Sequence, residues 1–176
     1  MSDIPDTLVL KRHRDLEGIG RSGIWWRRGF VAAIAAIAIL ALLDVFGQRP
    51  STTTVTAPAA KLSLYAPTAI RGGDFMEARF HITAKRDLRK AQLVLDPGWA
   101  EGMSMNTIEP SPLGQGSDDG RLVFTLGHIP RGKSYILFVQ FQVNPTNVAW
   151  NRPQDVELLD GPRVLAHLNR SITVFP

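Results

Sequence analysis

FMEARFHITA, residues 75–84, alternates without a break. Met76, Ala78, Phe80, Ile82 and Ala84 fall on one face and Glu77, Arg79, His81 and Thr83 on the other, the period of two of a half-buried β-strand. Arg71-Gly72-Gly73-Asp74, just before it, is rich in turn formers. Outward from this segment, strand patterns recur at 62–65, 89–95, 103–108, 121–126, 134–143, 155–159 and 164–175, punctuated by Gly and Pro. About eight short strands and no helical period predict an all-β fold over residues 61–176, an immunoglobulin-like antiparallel β-sandwich of about seven to eight strands. Leu159-Asp160-Gly161-Pro162 reads as a tight hairpin, because Asp-Gly accepts the positive φ such turns need.

Upstream the pattern changes. GFVAAIAAIAILALL, starting at Gly29, carries no charge, and with Asp44, Val45 and Phe46 it predicts a transmembrane helix over 29–46. Trp25, Trp26, Arg27 and Arg28 mark one membrane interface, with the indoles at headgroup level and the guanidinium groups reaching phosphates. Lys11, Arg12, Arg14, Arg21, Arg27 and Arg28 lie on the N-terminal side, whereas Arg49 stands nearly alone beyond the helix. Positive-inside asymmetry therefore predicts a cell-membrane protein with a cytoplasmic basic tail, residues 1–28, and an extracytoplasmic bulk. The rival reading is a cleaved signal peptide, with Val45 and Gly47 at the small-residue positions; Asp44, Phe46 and the long leader argue for an uncleaved anchor. Gly29 with Ala33, and Ala32 with Ala36, repeat small residues at the spacing that lets transmembrane helices pack closely. Residues 47–60, GQRPSTTTVTAPAA, lack an apolar period and read as a Ser/Thr/Pro linker.

Composition excludes several classes. The 176 residues suit about one domain besides the anchor. With no cysteine there is no disulfide, thiolate metal site or thiol nucleophile, so the outer domain relies on an ordinary apolar core. The net charge of +4 is divided between the tail and the outer domain, too thinly for a nucleic-acid stripe. Arg outnumbers Lys 15 to 5, in keeping with a GC-rich bacterial genome.

The Gly-Gly-Asp turn into FMEARFHITA, the segment GHIPRGKSYILFVQFQV and the closing VELLDGPRVLAHLNRSITVFP together resemble bacterial immunoglobulin-like modules of the adhesion-related CARDB type. The resemblance covers roughly residues 61–176 and implies a sandwich with no catalytic residues. In overall plan the chain is also similar to single-pass copper chaperones of cytochrome oxidase. Those bind metal through cysteines that this sequence lacks.

Motifs that suggest chemistry have simpler readings. Residues 127–134, GHIPRGKS, satisfy the P-loop expression, but YILFVQFQV after them is a strand where a phosphate cradle needs a helix, so no nucleotide is expected. His13, His81, His128 and His167 have no metal spacing, and Met76, Met103 and Met105 read as core residues before copper ligands. No nucleophile signature occurs, and the expectation is a non-enzyme without metal or cofactor. Three features remain for partner binding: Trp99 and Trp150 at strand ends, the basic run Lys85, Arg86, Arg89 and Lys90, and a long loop at 109–120. The leading expectation is an accessory subunit or assembly factor of an envelope membrane complex, meeting another membrane or envelope protein. The alternative is a surface module that binds a cell-wall polymer or anionic headgroup through the basic run, and a weaker one is a metal (copper) chaperone using Met and His.

Overall fold

The computed structural model describes residues 21–43 and 48–176, which form a helical unit and a β unit. The helix, α1, runs Arg21–Leu42, beginning earlier than the apolar run itself. Ile24 to Arg28 contain no helix breaker, so the helix propagates back through them, and the two tryptophans and two arginines sit inside it instead of ahead of it. At 22 residues it is about 33 Å long, enough to cross a hydrocarbon core. The basic tail before Arg21, and positions 44–47, which include the candidate cleavage residues Val45 and Gly47, lie outside the described residues.

The β unit contains thirteen strands among the described residues, more than the seven to eight expected. They are β1 Pro50–Thr56, β2 Ala60–Pro67, β3 Ala69–Arg71, β4 Phe75–Ala84, β5 Leu88–Leu95, β6 Met103–Glu109 and β7 Gly114–Asp118. The remainder are β8 Arg121–Ile129, β9 Ser134–Val143, β10 Ala149–Pro153, β11 Val156–Asp160, β12 Arg163–Leu168 and β13 Ser171–Phe175. Two antiparallel five-stranded sheets, β1-β2-β4-β9-β6 and β12-β11-β5-β8-β7, form the layers. A small sheet, β10-β13-β3, is antiparallel on one side of β13 and parallel on the other.

One core joins all three sheets. Phe80 and Phe141 come from the first sheet, Leu93 and Phe124 from the second, and Ile70, Ile172 and Val174 from the small one. The alternation in β4 is realised in full, with Met76 through Ala84 buried at every second position. The architecture is thus an all-β sandwich preceded by one helix.

Three segments depart from expectation for identifiable reasons. Much of the linker is strand: Pro50 to Thr56 pair with β2 in continuous register from Pro50↔Pro67 to Thr56↔Lys61. Its β-branched Thr and Val residues favour extended backbone, and Pro50 is tolerated because β1 is an edge. The long loop at 109–120 contains the edge strand β7, joined to β8 by Asp119 and Gly120, both at positive φ. The segment 164–175 is broken at Asn169-Arg170, where the chain leaves the second sheet for the small one.

Candidate functional site

The two tryptophans singled out at strand ends have opposite fates. Pro97–Trp99 form a single 3-10 turn that folds Trp99 inward, where it is wholly buried and unavailable as a partner anchor. Its ring centroid lies 5.7 Å from that of Phe80 and 5.5 Å from that of Phe141. The indole N–H donates to the Gln154 carbonyl at 3.1 Å, and the Arg170 guanidinium sits 5.1 Å from the ring centroid. Gly98 makes this turn possible, since a Cβ there would stand 1.9 Å from the Pro153 carbonyl oxygen. Burial pulls the Arg170 side chain down to about 10, and its Nη2 donates to the Pro67 carbonyl. Trp150, by contrast, is 83% exposed on the edge strand β10, beside exposed Val148.

The basic run belongs to a larger surface that depends on strand pairing. Lys85 and Arg86 occupy the β4–β5 turn, their backbone N–H groups donating to the Ala59 carbonyl at 2.8 and 3.1 Å. Arg89 and Lys90 would point to opposite faces of a regular strand. A register shift between Leu88 and Ala91, opposite Ile129 and Gly127, turns both outward, as a bulge does.

The β8–β9 turn adds Arg131 and Lys133 at the same end. It is tied to β4 by Gly132 N–H to the Ala84 carbonyl, 2.7 Å, and Ala84 N–H to the Lys133 carbonyl, 3.0 Å. The β11–β12 turn brings Arg163, held close because Gly161 N–H donates to the Lys90 carbonyl at 3.0 Å. All of these cations are exposed, and among the described residues none is in an ion pair. The two neighbouring carboxylates are occupied: Asp87 bonds His128 at 2.8 Å, and Asp160 accepts the Lys90 backbone N–H at 2.7 Å. Arg131, Lys133 and Arg163 are far from the run in sequence, and the pairings of β4 with β9 and of β5 with β8 and β11 assemble them with it.

This end is remote from where the chain enters the sandwich. Entry is marked by Gln48, whose side-chain amide donates to the Phe75 carbonyl, and by the Arg49 carbonyl, which accepts from Thr68 N–H. The seven residues of β1 separate the two ends by about 23 Å.

Other sequence motifs resolve into structural roles. Gly127 of the P-loop-like segment has φ +83 and lies at a second register shift, within the β8 ladder, and Ser134 opens a strand. Met76 and Met103 are buried core residues, with Met105 on the open edge β6. Among the described residues no three His, Asp or Glu side chains converge as a metal site. His167 instead bridges Asp155 and Glu157 at 3.3 and 4.0 Å. Nearby, desolvation raises the Asp96 carboxyl above its ordinary value, with Asp155 and Glu157 adding to the effect.

On α1, Trp25, Trp26 and the other larger apolar side chains from Ile24 to Leu42 are exposed, and Arg28 lies 5.6 Å from the Trp25 ring centroid. Gly29, Ala32, Ala33 and Ala36 are likewise uncovered. The span Gly23–Leu42 has a mean hydropathy of 1.6, and its only charges are Arg27 and Arg28.

No protein-family model matches the chain, and no curated protein sequence is significantly similar to it. Among solved structures, CaCohA2 from Clostridium acetobutylicum is similar at 13% identity and a TM-score of 0.43, covering 68% of this chain and 93% of that one. AvmM, which catalyses macrocyclisation in alchivemycin A biosynthesis, aligns at 9% identity and 0.40, covering 74% and 90%. The alkylpurine DNA glycosylase AlkC of Pseudomonas fluorescens aligns at 14% and 0.34, covering 62% of this chain and 28% of its own.

Proposed function

We propose that this chain is a non-enzymatic single-pass membrane protein, N-terminus in the cytoplasm, whose extracytoplasmic β-sandwich engages another envelope protein. In this reading it is an accessory subunit or assembly factor of a membrane complex. The observation that carries the reading is α1, a 22-residue helix whose apolar side chains are uncovered on every side. Such a helix is at home in lipid and not in water. Gly29, Ala32, Ala33 and Ala36 give it a small-residue face on which a partner helix can pack. Outside the membrane, Trp150 on the open edge of the small sheet, with Val148 just before that strand, supplies an apolar anchor of the kind that dominates protein interfaces.

The test is purification of the tagged full-length protein from native membranes in mild detergent, beside a variant with an unrelated apolar anchor. A near-stoichiometric membrane partner that is lost on anchor replacement is the expected result. Recovery of the protein alone in both preparations would end the accessory-subunit reading. The intact mass of the purified chain settles in the same experiment whether the helix is retained or removed.

A further inference from the structure

We propose that the basic end of the sandwich is a binding site for a linear polyanion, a polymer with a phosphate or carboxylate on each repeat. The seven exposed cations come from three turns, Lys85 to Lys90, Arg131 to Lys133 and Arg163, which the backbone hydrogen bonds hold together. Among the described residues of these turns the carboxylates are Asp87 and Asp160, and both are already engaged. Concentrating like charges at one end of a domain raises the local potential with no internal compensation, so this arrangement favours an external anion. The bulge in β5 sharpens the argument: a regular strand would turn one of Arg89 and Lys90 toward the core face, and the register shift presents both.

The chemistry of the site favours a polymer over a protein partner. The exposed aromatic residues of the sandwich, Tyr65, Phe75 and Trp150, lie toward the entry end, and the basic turns offer no aromatic residue of their own. Protein interfaces depend on such desolvated anchors, whereas a flexible polyanion needs only spaced cations and gains from releasing its counterions. Within the sandwich the cations occupy the end away from Gln48, and the vesicle arm of the experiment separates a bilayer from a polymer. The inference does not depend on the protein-partner reading above.

The experiment uses full-length protein in zwitterionic phosphatidylcholine nanodiscs, titrated with inorganic polyphosphate, polyglutamate and neutral dextran. Anionic vesicles and duplex DNA are tested in parallel. Binding of polyphosphate or polyglutamate, weakening at least about tenfold between about 50 and 200 mM salt, is expected, and no binding of dextran. The relative affinity of the two polyanions identifies phosphate or carboxylate as the preferred group.

Replacing Arg131 and Lys133 with Gln should weaken binding about as much as replacing Arg89 and Lys90. Replacing Arg49 and Arg71, at the entry end, should leave it within about twofold, which controls for net charge. Near-UV circular dichroism of each variant confirms that the sandwich is folded. Absence of polyanion binding overturns the proposal, as does an equal loss in the Arg49/Arg71 variant. Tighter binding to vesicles or to duplex DNA than to either polymer also overturns it.

Discussion

Arg170 shows what one partly buried charge does to this core. It lies over Trp99 and donates to the Pro67 carbonyl, yet its Nε is buried without a partner. The charge is therefore tolerated more than it is exploited, since a buried guanidinium with an unmet donor forfeits hydration. Arg170→Met, which keeps the cover over Trp99, should stay within about 1 kcal/mol of the parent in urea unfolding. Arg170→Ala, which uncovers the ring, should lose about 2 kcal/mol. Asp96 gives a pH-dependent counterpart. Its carboxyl is raised by desolvation, then by Asp155 and Glu157, so the folded state holds its proton more tightly than the unfolded chain does. The stability this contributes is present below the unfolded value and lost as pH rises through the folded one. Asp96→Asn should accordingly raise the melting temperature at pH 7, with the difference vanishing near about pH 3; an unchanged difference at both pH values would contradict this account.

Among the elements, β1 is the clearest case of structure hidden from sequence. Val55 is its one aliphatic residue, packed partly against the core, so the strand has too little apolar content to show a period of two. Its role is to pair with β2 and cover an otherwise open edge. A chain starting at Ala60 should melt lower than one starting at Gln48 and be less stable by about 1 to 3 kcal/mol, because it loses both the ladder and the burial of Val55. If residues 48–59 were only a spacer, the two fragments would unfold together. The β4 and β9 strands are the opposite case, legible to the residue because each buries a continuous apolar face. β7, GQGSD, has no apolar residue, and only the Asp119-Gly120 pair beside it signals the hairpin. At the candidate site, Lys85, Arg86, Arg89 and Lys90 were readable as a run. Arg131, Lys133 and Arg163 join them through pairings that no local pattern encodes. Trp99 misleads for the same reason, since its burial is set by Phe80 and Phe141 on distant strands and by Arg170 between β12 and β13.

For the whole molecule, the absence of cysteine offers a clean test of orientation, because any introduced thiol is the only one present. Ser117→Cys, at an exposed position on the edge strand β7, should react with a membrane-impermeant maleimide in intact cells. Ser2→Cys should react only after permeabilisation if the positive-inside reading holds. Labelling of both in intact cells would refute that topology.

The small sheet has a bearing on how the domain is made. Its central strand β13 pairs in parallel with β3, Thr173 opposite Ala69, and these partners are about a hundred residues apart in the chain. β10 lies on the other side of the same strand. Neither neighbour can complete its ladder until Ser171–Phe175 has emerged from the ribosome. Closing so long a loop is entropically slow, so the small sheet should be the last to gain hydrogen-exchange protection during refolding. In the interval the nascent domain exposes Ile70 and two unpaired strands, and a binding chaperone has its longest opportunity there.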